Sequence, residues 1–327
     1  MLMYVLRRLG YMFVVLIIIS MFLFTIFQFM PGDPVRAFMD GLASELGPEA
    51  YEAMRVQIRY ELGLDRPIII QYLIWIRNWF TGNWGHSQIV RRPVIEMIQT
   101  PMMFTVLLSI ISTFLIWVIT IPLGIFAAIR RGKFADNAIL VGSVIGISLP
   151  SFIYALLGIV IFSIFLQWTP VSGMHTAIPP DDFWPMVFDR LRHMALPIGV
   201  MVFMGLGGMT RYVRSIMCDA LTEDYVRTAR AKGLTEKIVV YSHAFRNALI
   251  PMVTFMTGSF MSLFFGSVVI EQIFSWSGMG DVMLSSLMGQ DFAVVKAVNV
   301  FYALVALVAM LLMDLTYGLA DPRVKIE

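Results

Sequence analysis

The chain alternates between long apolar runs and shorter polar stretches. Six runs stand out, at about 9–29, 102–129, 138–166, 197–217, 251–273 and 293–317. About twenty apolar residues in helical form cross the hydrocarbon core of a bilayer. The pattern therefore predicts an all-α integral membrane protein with six transmembrane helices. Residues 1–30 hold the N-terminus and first helix, 31–101 a helical insertion, and 102–327 a five-helix core. Pro122-Leu-Gly124 is expected to break the second run, and Pro150 to kink the third. Gly142 and Gly146 let helices approach closely, and packing and a gating hinge are both open readings.

The insertion is expected to lie on the outer face as a helical cap. Asp33 can cap a short helix with Pro34 at its first position. Pro48 to Leu62 is amphipathic, with Tyr51, Met54, Ile58 and Leu62 on one face and Gly63 at the stop. Pro67 to Phe80 aligns Ile69, Tyr72, Leu73, Ile76 and Phe80. Trp75, Trp79 and Trp84 cluster here, as aromatics do at a membrane surface.

The most charged stretch, Asp224 to Pro251, fills most of the segment 218–250 between the fourth and fifth runs and ends at the first residue of the fifth. It predicts two short helices joined at Gly233. Thr222 can cap the first, with Glu223 and Asp224 in its first turn and Arg227, Arg230 and Lys232 toward its C-terminus. Gly233 suits the left-handed stop position. Thr235 can cap the second helix. Ile238, Tyr241, Ser242, Phe245 and Leu249 share one stripe of it, opposite Val239, His243, Arg246 and Asn247. Pro251 is expected to open the fifth span.

Composition agrees with a membrane protein. The chain is 58% hydrophobic and 14% charged, against roughly 25% charged in a soluble domain. A net charge of +2 gives no case for nucleic acid. Cys218 has no second cysteine to pair with. The first run is longer than the oily core of a secretory signal and lacks a small-residue cleavage site, so an uncleaved span is expected. Arg7, Arg8, Arg130, Arg131, Lys133, the basic residues from Arg211 to Arg246, Arg323 and Lys325 fall on one side of the six-span pattern. Basic excess marks the cytoplasm, so both termini and the charged helix pair are expected inside.

Catalytic constellations are missing from the sequence. It has no Gly-x-x-x-x-Gly-Lys-Ser/Thr loop, so ATP hydrolysis by this chain alone is not expected. His86, His175, His193 and His243 form no His-Glu-x-x-His pair, and no metal site is expected. Glu271 and Gln272 near one end of the fifth run, and Asp314 near one end of the sixth, remain as candidates for a translocation path. For Glu271, lining a polar path and capping local backbone are equal alternatives. Lys296 has Asp291 as one possible partner.

The charged pair resembles the coupling loop of ABC importer permeases. Arg227-Thr228-Ala229 stand at the Glu-Ala-Ala places of the general pattern, with Gly233 at its glycine. His243-Ala244-Phe245-Arg246 replace Ile-x-Leu-Pro, so that match is partial. The match is close to the form in the B-type permease of the dipeptide/oligopeptide family. It covers Asp224-Tyr225, Thr228-Ala229, Ala231-Lys232-Gly233-Leu234, and His243-Ala244 with Arg246-Asn247-Ala248. Pro31-Gly-Asp-Pro34, Leu62-Gly-Leu-Asp65 with Pro67, Gln71-Tyr72 and Asp321-Pro322-Arg323 extend the likeness over nearly the whole chain. Trp84-Gly85-His86-Ser87 and Pro93-Val94 do so more loosely. Ser277 stands where the family usually has proline, so the turn there is expected to be looser.

The resemblance implies a non-catalytic permease half in a prokaryotic cytoplasmic membrane. Its implied partners are a homologous second permease subunit, two ABC ATPase subunits that bind ATP and Mg, an external substrate-binding protein, and lipid. No cofactor is implied in this chain. Asp224, Tyr225, Arg227, Ala229, Arg230, Gly233, Leu234, His243, Arg246 and Asn247 are the implied ATPase-coupling residues. Tyr225 and Ala229 would be contacts, and Arg227 and Arg230 would meet polar partners. Di- or oligopeptides are the implied substrate, and nickel chelates, glutathione or oligosaccharides are the alternatives. A stand-alone membrane enzyme or channel, or a scaffold, would need no ATPase and leaves the helix pair unexplained.

Overall fold

Apolar runs must satisfy their backbone internally in a bilayer, and a helix does so within one segment. The computed structural model describes residues 2–29, 35, 39, 47–61, 63–87 and 89–320. The expectations at Pro31 to Pro34, at Leu62 and at Asp321-Pro322-Arg323 lie outside the described residues. No strand occurs among the described residues, where one isolated bridge joins His86 and Pro93.

The helices in order are α1 (Leu2–Phe29), α2 (Pro48–Glu61), α3 (Ile68–Phe80), α4 (Val94–Ile129), α5 (Phe134–Ser148) and α6 (Ser151–Phe165). There follow α7 (Phe183–Thr222), α8 (Asp224–Ala231), α9 (Glu236–Phe265), α10 (Val268–Ile273), α11 (Met279–Met288) and α12 (Phe292–Ala320). Five of these are long and apolar enough to cross a membrane, and the bent pair α5–α6 makes six.

Several boundaries differ from the sequence expectation. Helix α4 runs unbroken through Pro122. Helix α7 starts at Phe183 and carries Pro197 inside it, so much of the expected polar loop is helical. Helix α9 runs from the charged pair straight through Pro251 and ends before Gly266, whose φ is +66°. A proline forfeits one backbone bond, and tertiary packing outweighs that loss here. Helix α11, in the stretch expected to be a turn and loop, is a further element.

The third run breaks rather than kinks. Leu149, before Pro150, is extended, as steric clash with the proline ring favours. The two helices meet at 100°. Tyr154 bridges the corner by donating its hydroxyl to the Ile145 carbonyl. The contacts then follow α7 in order. Asp136 meets Arg214, Gly146 faces Phe203 and Gly207, Tyr154 packs on Phe203, Gly158 meets Leu196 and Val200, and the Trp168 carbonyl accepts from Arg192. From Arg214 to Arg192 is about 33 Å of helix. The bent pair therefore follows α7 over about the length of a span. A Cβ on Gly207 would sit 2.5 Å from the Ser143 carbonyl oxygen, so small residues set this approach. Gly142 has open space around it, and only Gly146 of the expected pair does the packing.

Met1–Met103 with Gly278–Val308 form one compact unit, and Phe104–Ser277 with Ala309–Glu327 another. Residues 278–308, expected in the five-helix core, thus group with the insertion. Within the first unit α3 runs lengthwise along α1. Phe24 touches Tyr72 and Trp75, each with centroids 5.6 Å apart, and Phe13 touches Phe80 at 6.4 Å. The buried Ser87 and Asp291 are hydrogen bonded, and the Val94 amide donates to the Gly85 carbonyl at 3.0 Å. Lys296 lies over the rings of Phe24 and Phe27 at 5.8 Å, a cation–π contact in place of the expected carboxylate.

Candidate functional site

The charged pair is a small packed body rather than a loose loop. Helix α8 starts at Asp224 with Glu223 as its N-cap residue, and no side chain caps it. Thr222, expected to cap it, instead ends α7 and donates its hydroxyl to the Asp219 carbonyl. Thr235 does take the N-cap position of α9, but its hydroxyl makes no capping bond.

Gly233 closes α8 as the pattern requires. Its φ is +76°, its amide bonds the Arg230 carbonyl at 2.9 Å, and the Leu234 amide bonds the Ala229 carbonyl at 3.4 Å. Those two bonds are a Schellman stop, which absorbs orphan carbonyls and reverses the chain. Arg230 then clamps the turn from outside, with Nε donating to Glu236 Oε1 at 2.8 Å and Nη2 to Oε2 at 3.4 Å. Arg227 pairs more weakly with Asp224 at 3.6 Å, both exposed.

The buried face differs from the expected stripe. Val226 and Ala229 of α8 pack with Val239, Val240, Ala244 and Ala248 of α9. They share a core with Val213 and Met217 of α7 and Trp117 and Ile125 of α4. Small side chains at 240, 244 and 248 bring α9 close to that core. A π-helical turn at Val239–Ala244 re-aims the helix there, which turns Ile238 and Tyr241 outward. Ala229 is 4% exposed and belongs to this internal core, so it cannot pair with Tyr225 as a partner contact. His243 is half-buried, and Asn247 spends its side chain on the His243 carbonyl at 3.1 Å.

The outward face is mixed in character. Tyr225, Leu234, Ile238 and Tyr241 are apolar and exposed, and the exposed charges of the same pair are Arg227, Lys232, Lys237 and Arg246 together with Glu223, Asp224 and Glu236. Exposed apolar side chains rimmed by charge mark an interaction surface.

The remaining candidates lie elsewhere. Glu271 is 1% exposed. It accepts from Thr105 Oγ1 at 2.9 Å and packs on Gly266, while its own carbonyl takes the Trp276 amide at 2.7 Å. The carboxylate thus ties a chain corner together and does not open on a channel within this unit. Gln272 is exposed, and Asp314 is half-buried on α12. The Ser275 to Gly278 turn is held by Trp276, which is buried and donates its indole to the Phe104 carbonyl at 3.4 Å.

One constellation escaped the sequence reading. Asp136, 1% exposed, takes Arg214 on both carboxylate oxygens, with Nη2 to Oδ2 at 2.7 Å, and accepts the Gly132 amide at 2.8 Å. Sequence marked Arg214 only as a basic residue near a helix end. The signal that could have found the pair is an acid three residues after the three cations of the turn 130–133. Likewise the buried His193 pairs locally with Asp189, which also accepts the Thr176 amide at 2.9 Å. Among the described residues no group of three metal-ligating side chains occurs.

Comparison with known proteins places this architecture. Residues 120–326 match the family described as binding-protein-dependent transport system inner membrane component, and residues 1–93 match its N-terminal family. The chain belongs to that family of permeases. The permease is 37% identical to the oligopeptide transport system permease protein AppB of Bacillus subtilis (strain 168), over 98% of this chain and 99% of that one. It is 34% identical to the di/tripeptide transport system permease protein DppB of Pseudomonas aeruginosa (strain UCBPP-PA14), over 99% of both. Among solved structures, the inward-facing methionine ABC transporter MetNI shares its fold. The TM-score is 0.54 at 16% identity, over 69% of the permease and 97% of that chain.

Proposed function

We propose that the permease is the B-type transmembrane half of an ATP-driven importer for di- and oligopeptides. Its partners are a homologous second permease subunit, two cytosolic ATPases that bind ATP and Mg, and an external binding protein that delivers the substrate. Both termini and the pair α8–α9 lie in the cytoplasm, in line with the basic excess on that side. The observation that carries the reading is the outward face of that pair. It carries exposed apolar side chains, Tyr225, Leu234, Ile238 and Tyr241, and exposed Arg227, Lys232, Lys237 and Arg246, on a body packed into the core of α4 and α7. A cleft on an ATPase that is apolar at its centre and acidic at its rim would fit it. Closure of the ATPases would then be passed to α7 and α9 through the core that α8 and α9 share with α7 and α4. Substrate choice belongs mainly to the binding protein, and full-length similarity to two peptide permeases supports peptides over the other solutes.

Gly233 provides the test. An added side chain there meets no atom within 4 Å, so a substitution acts through the backbone alone. Gly233→Val places a β-branched residue at positive φ. In the reconstituted complex, uptake of a labelled tripeptide should fall about tenfold, the factor that 1–2 kcal/mol of strain gives. Insertion and partner-permease pairing should persist. Undiminished ATP-driven uptake by a well-inserted Gly233→Val variant overturns the coupling role. A wild-type complex that imports another solute and no peptide overturns the substrate class.

A further inference from the structure

The depth at which α3 lies along α1 changes the reading of the insertion. From Leu9 to Phe29, α1 has 21 residues, or about 31 Å of helix. The hydrocarbon core is about 30 Å thick. Helix α1 therefore has no length to spare outside the bilayer, with Arg7 and Arg8 directly before this stretch. Whatever packs against its middle lies inside the membrane. Tyr72 and Trp75 meet α1 at Phe24, and Phe80 meets it at Phe13, eleven residues or about 16 Å deeper.

Helix α12 gives an independent measure. Lys296 reaches the rings of Phe24 and Phe27, a level suited to a cation near the headgroups. Trp84 stacks on Trp79 at 5.1 Å and touches Phe301, five residues further into α12. The α1 track carries the chain down from Tyr72 to Phe80, and the α12 track places Trp84 about 8 Å below Lys296, so the chain turns back after Phe80.

We propose that residues 68–84 form a re-entrant segment, embedded in the bilayer beside α1 and not lying on its outer face. The side chains fit that medium. Ile69 and Leu73 share an exposed stripe, 74% and 56% accessible, of lipid character. The Tyr72 and Trp84 polar groups are bonded, whereas the buried Trp79 indole nitrogen has no hydrogen-bond partner. Tyr72 donates to Ser20 Oγ at 2.8 Å, which donates in turn to the Ile17 carbonyl, also at 2.8 Å. Trp84 donates its indole to the Trp79 carbonyl at 3.2 Å.

The tip has a different neighbour. Arg77 and the turn Thr81 to Asn83 are exposed, and Gly82 sits at φ +81°. Irregular backbone and a charge at membrane depth occur where they border protein or water, not lipid. On the importer reading that neighbour is a water-filled path continuous with the outside. The lipid contact requires only that α1 span the membrane, and the water-filled side rests on the importer reading.

Spin labels separate the two. Single cysteines replace Leu73 and Asn83 in a Cys218→Ala background, and the assembled transporter is reconstituted in lipid. Collisions with oxygen report acyl chains, and collisions with a nickel chelate report water. At Leu73 oxygen should dominate, and at Asn83, in the exposed turn, the nickel contribution should rise several-fold. Nickel dominance at Leu73 overturns the embedded segment, whatever the protein transports. Protection of Asn83 from both agents, with Leu73 still in lipid, overturns the water-filled tip alone. If Leu73→Cys fails to assemble, Ile69→Cys on the same stripe reads the lipid arm.

Discussion

Two carboxylates in one compact unit are almost fully buried, and the protein deals with them differently. Asp136 faces a guanidinium that takes both of its oxygens, with the Gly132 amide added. Glu271 meets a neutral hydroxyl, Thr105, and the bare backbone of Gly266. The first pins α5 to α7 at a level where Val213 and Met217 begin the core of the charged pair. The second closes a corner between α9 and α10. The difference teaches what each site can tolerate. A carboxylate matched to a cation depends on that cation. A carboxylate that has a hydroxyl and backbone among its contacts spreads its stabilisation over several groups.

The largest expected effect follows directly. Arg214→Met keeps most of the side-chain bulk and leaves Asp136 buried without its cation. Removing one partner of a buried pair costs about 3–5 kcal/mol. Thermal unfolding of the purified variant should drop sharply. Adding Asp136→Asn to Arg214→Met should restore much of the loss, because the charge that lacked a partner is gone. No recovery in the double variant would mean that packing, not charge, dominates the site.

These two acids also show how far the sequence could be read. Glu271 was visible because an acid beside an apolar run is conspicuous, but its partners were not. Thr105 is 166 residues away in sequence, and no local pattern links them. Asp136 is hard to single out because it lies just after a basic turn, where charge looks like an ordinary flank. The six apolar runs were legible because bilayer thickness dictates their length. Helix ends were less so. Pro122, Pro197 and Pro251 read as breaks, yet neighbouring helices hold all three within continuous helix. In the charged pair Gly233 was legible from its backbone demand alone. The buried face was not, because the π turn at Val239–Ala244 shifts the helical phase that the stripe assumed.

A middle-sized effect is expected at Gly266. An added methyl there overlaps Glu271 Oε1 and comes within 3.1 Å of Thr105 Cγ2, at a backbone φ of +66°. Gly266→Ala should therefore cost about 2–3 kcal/mol, from left-handed strain together with a weakened carboxylate hydrogen bond. A parallel substitution at Gly132 isolates the strain, since φ there is +76° and no atom lies within 4 Å of the new methyl. If Gly266→Ala and Gly132→Ala lower the unfolding temperature equally, the Glu271 carboxylate contributes nothing to the corner.

The smallest effect sharpens the comparison most. Thr105→Val removes one donor to Glu271 and keeps the side-chain shape. One hydrogen bond to a charged group, partly compensated by the other groups around the carboxylate, should cost about 1 kcal/mol. The loss at Arg214 should exceed it several-fold although both partners face equally buried acids. Glu271→Gln then asks whether the corner uses charge or shape. With its charge gone and its shape kept, Thr105 can still bond the side chain, and stability should change little. A Glu271→Gln variant as unstable as Arg214→Met would show that the corner holds a true ion pair. The two acids would then be solved by the same chemistry after all.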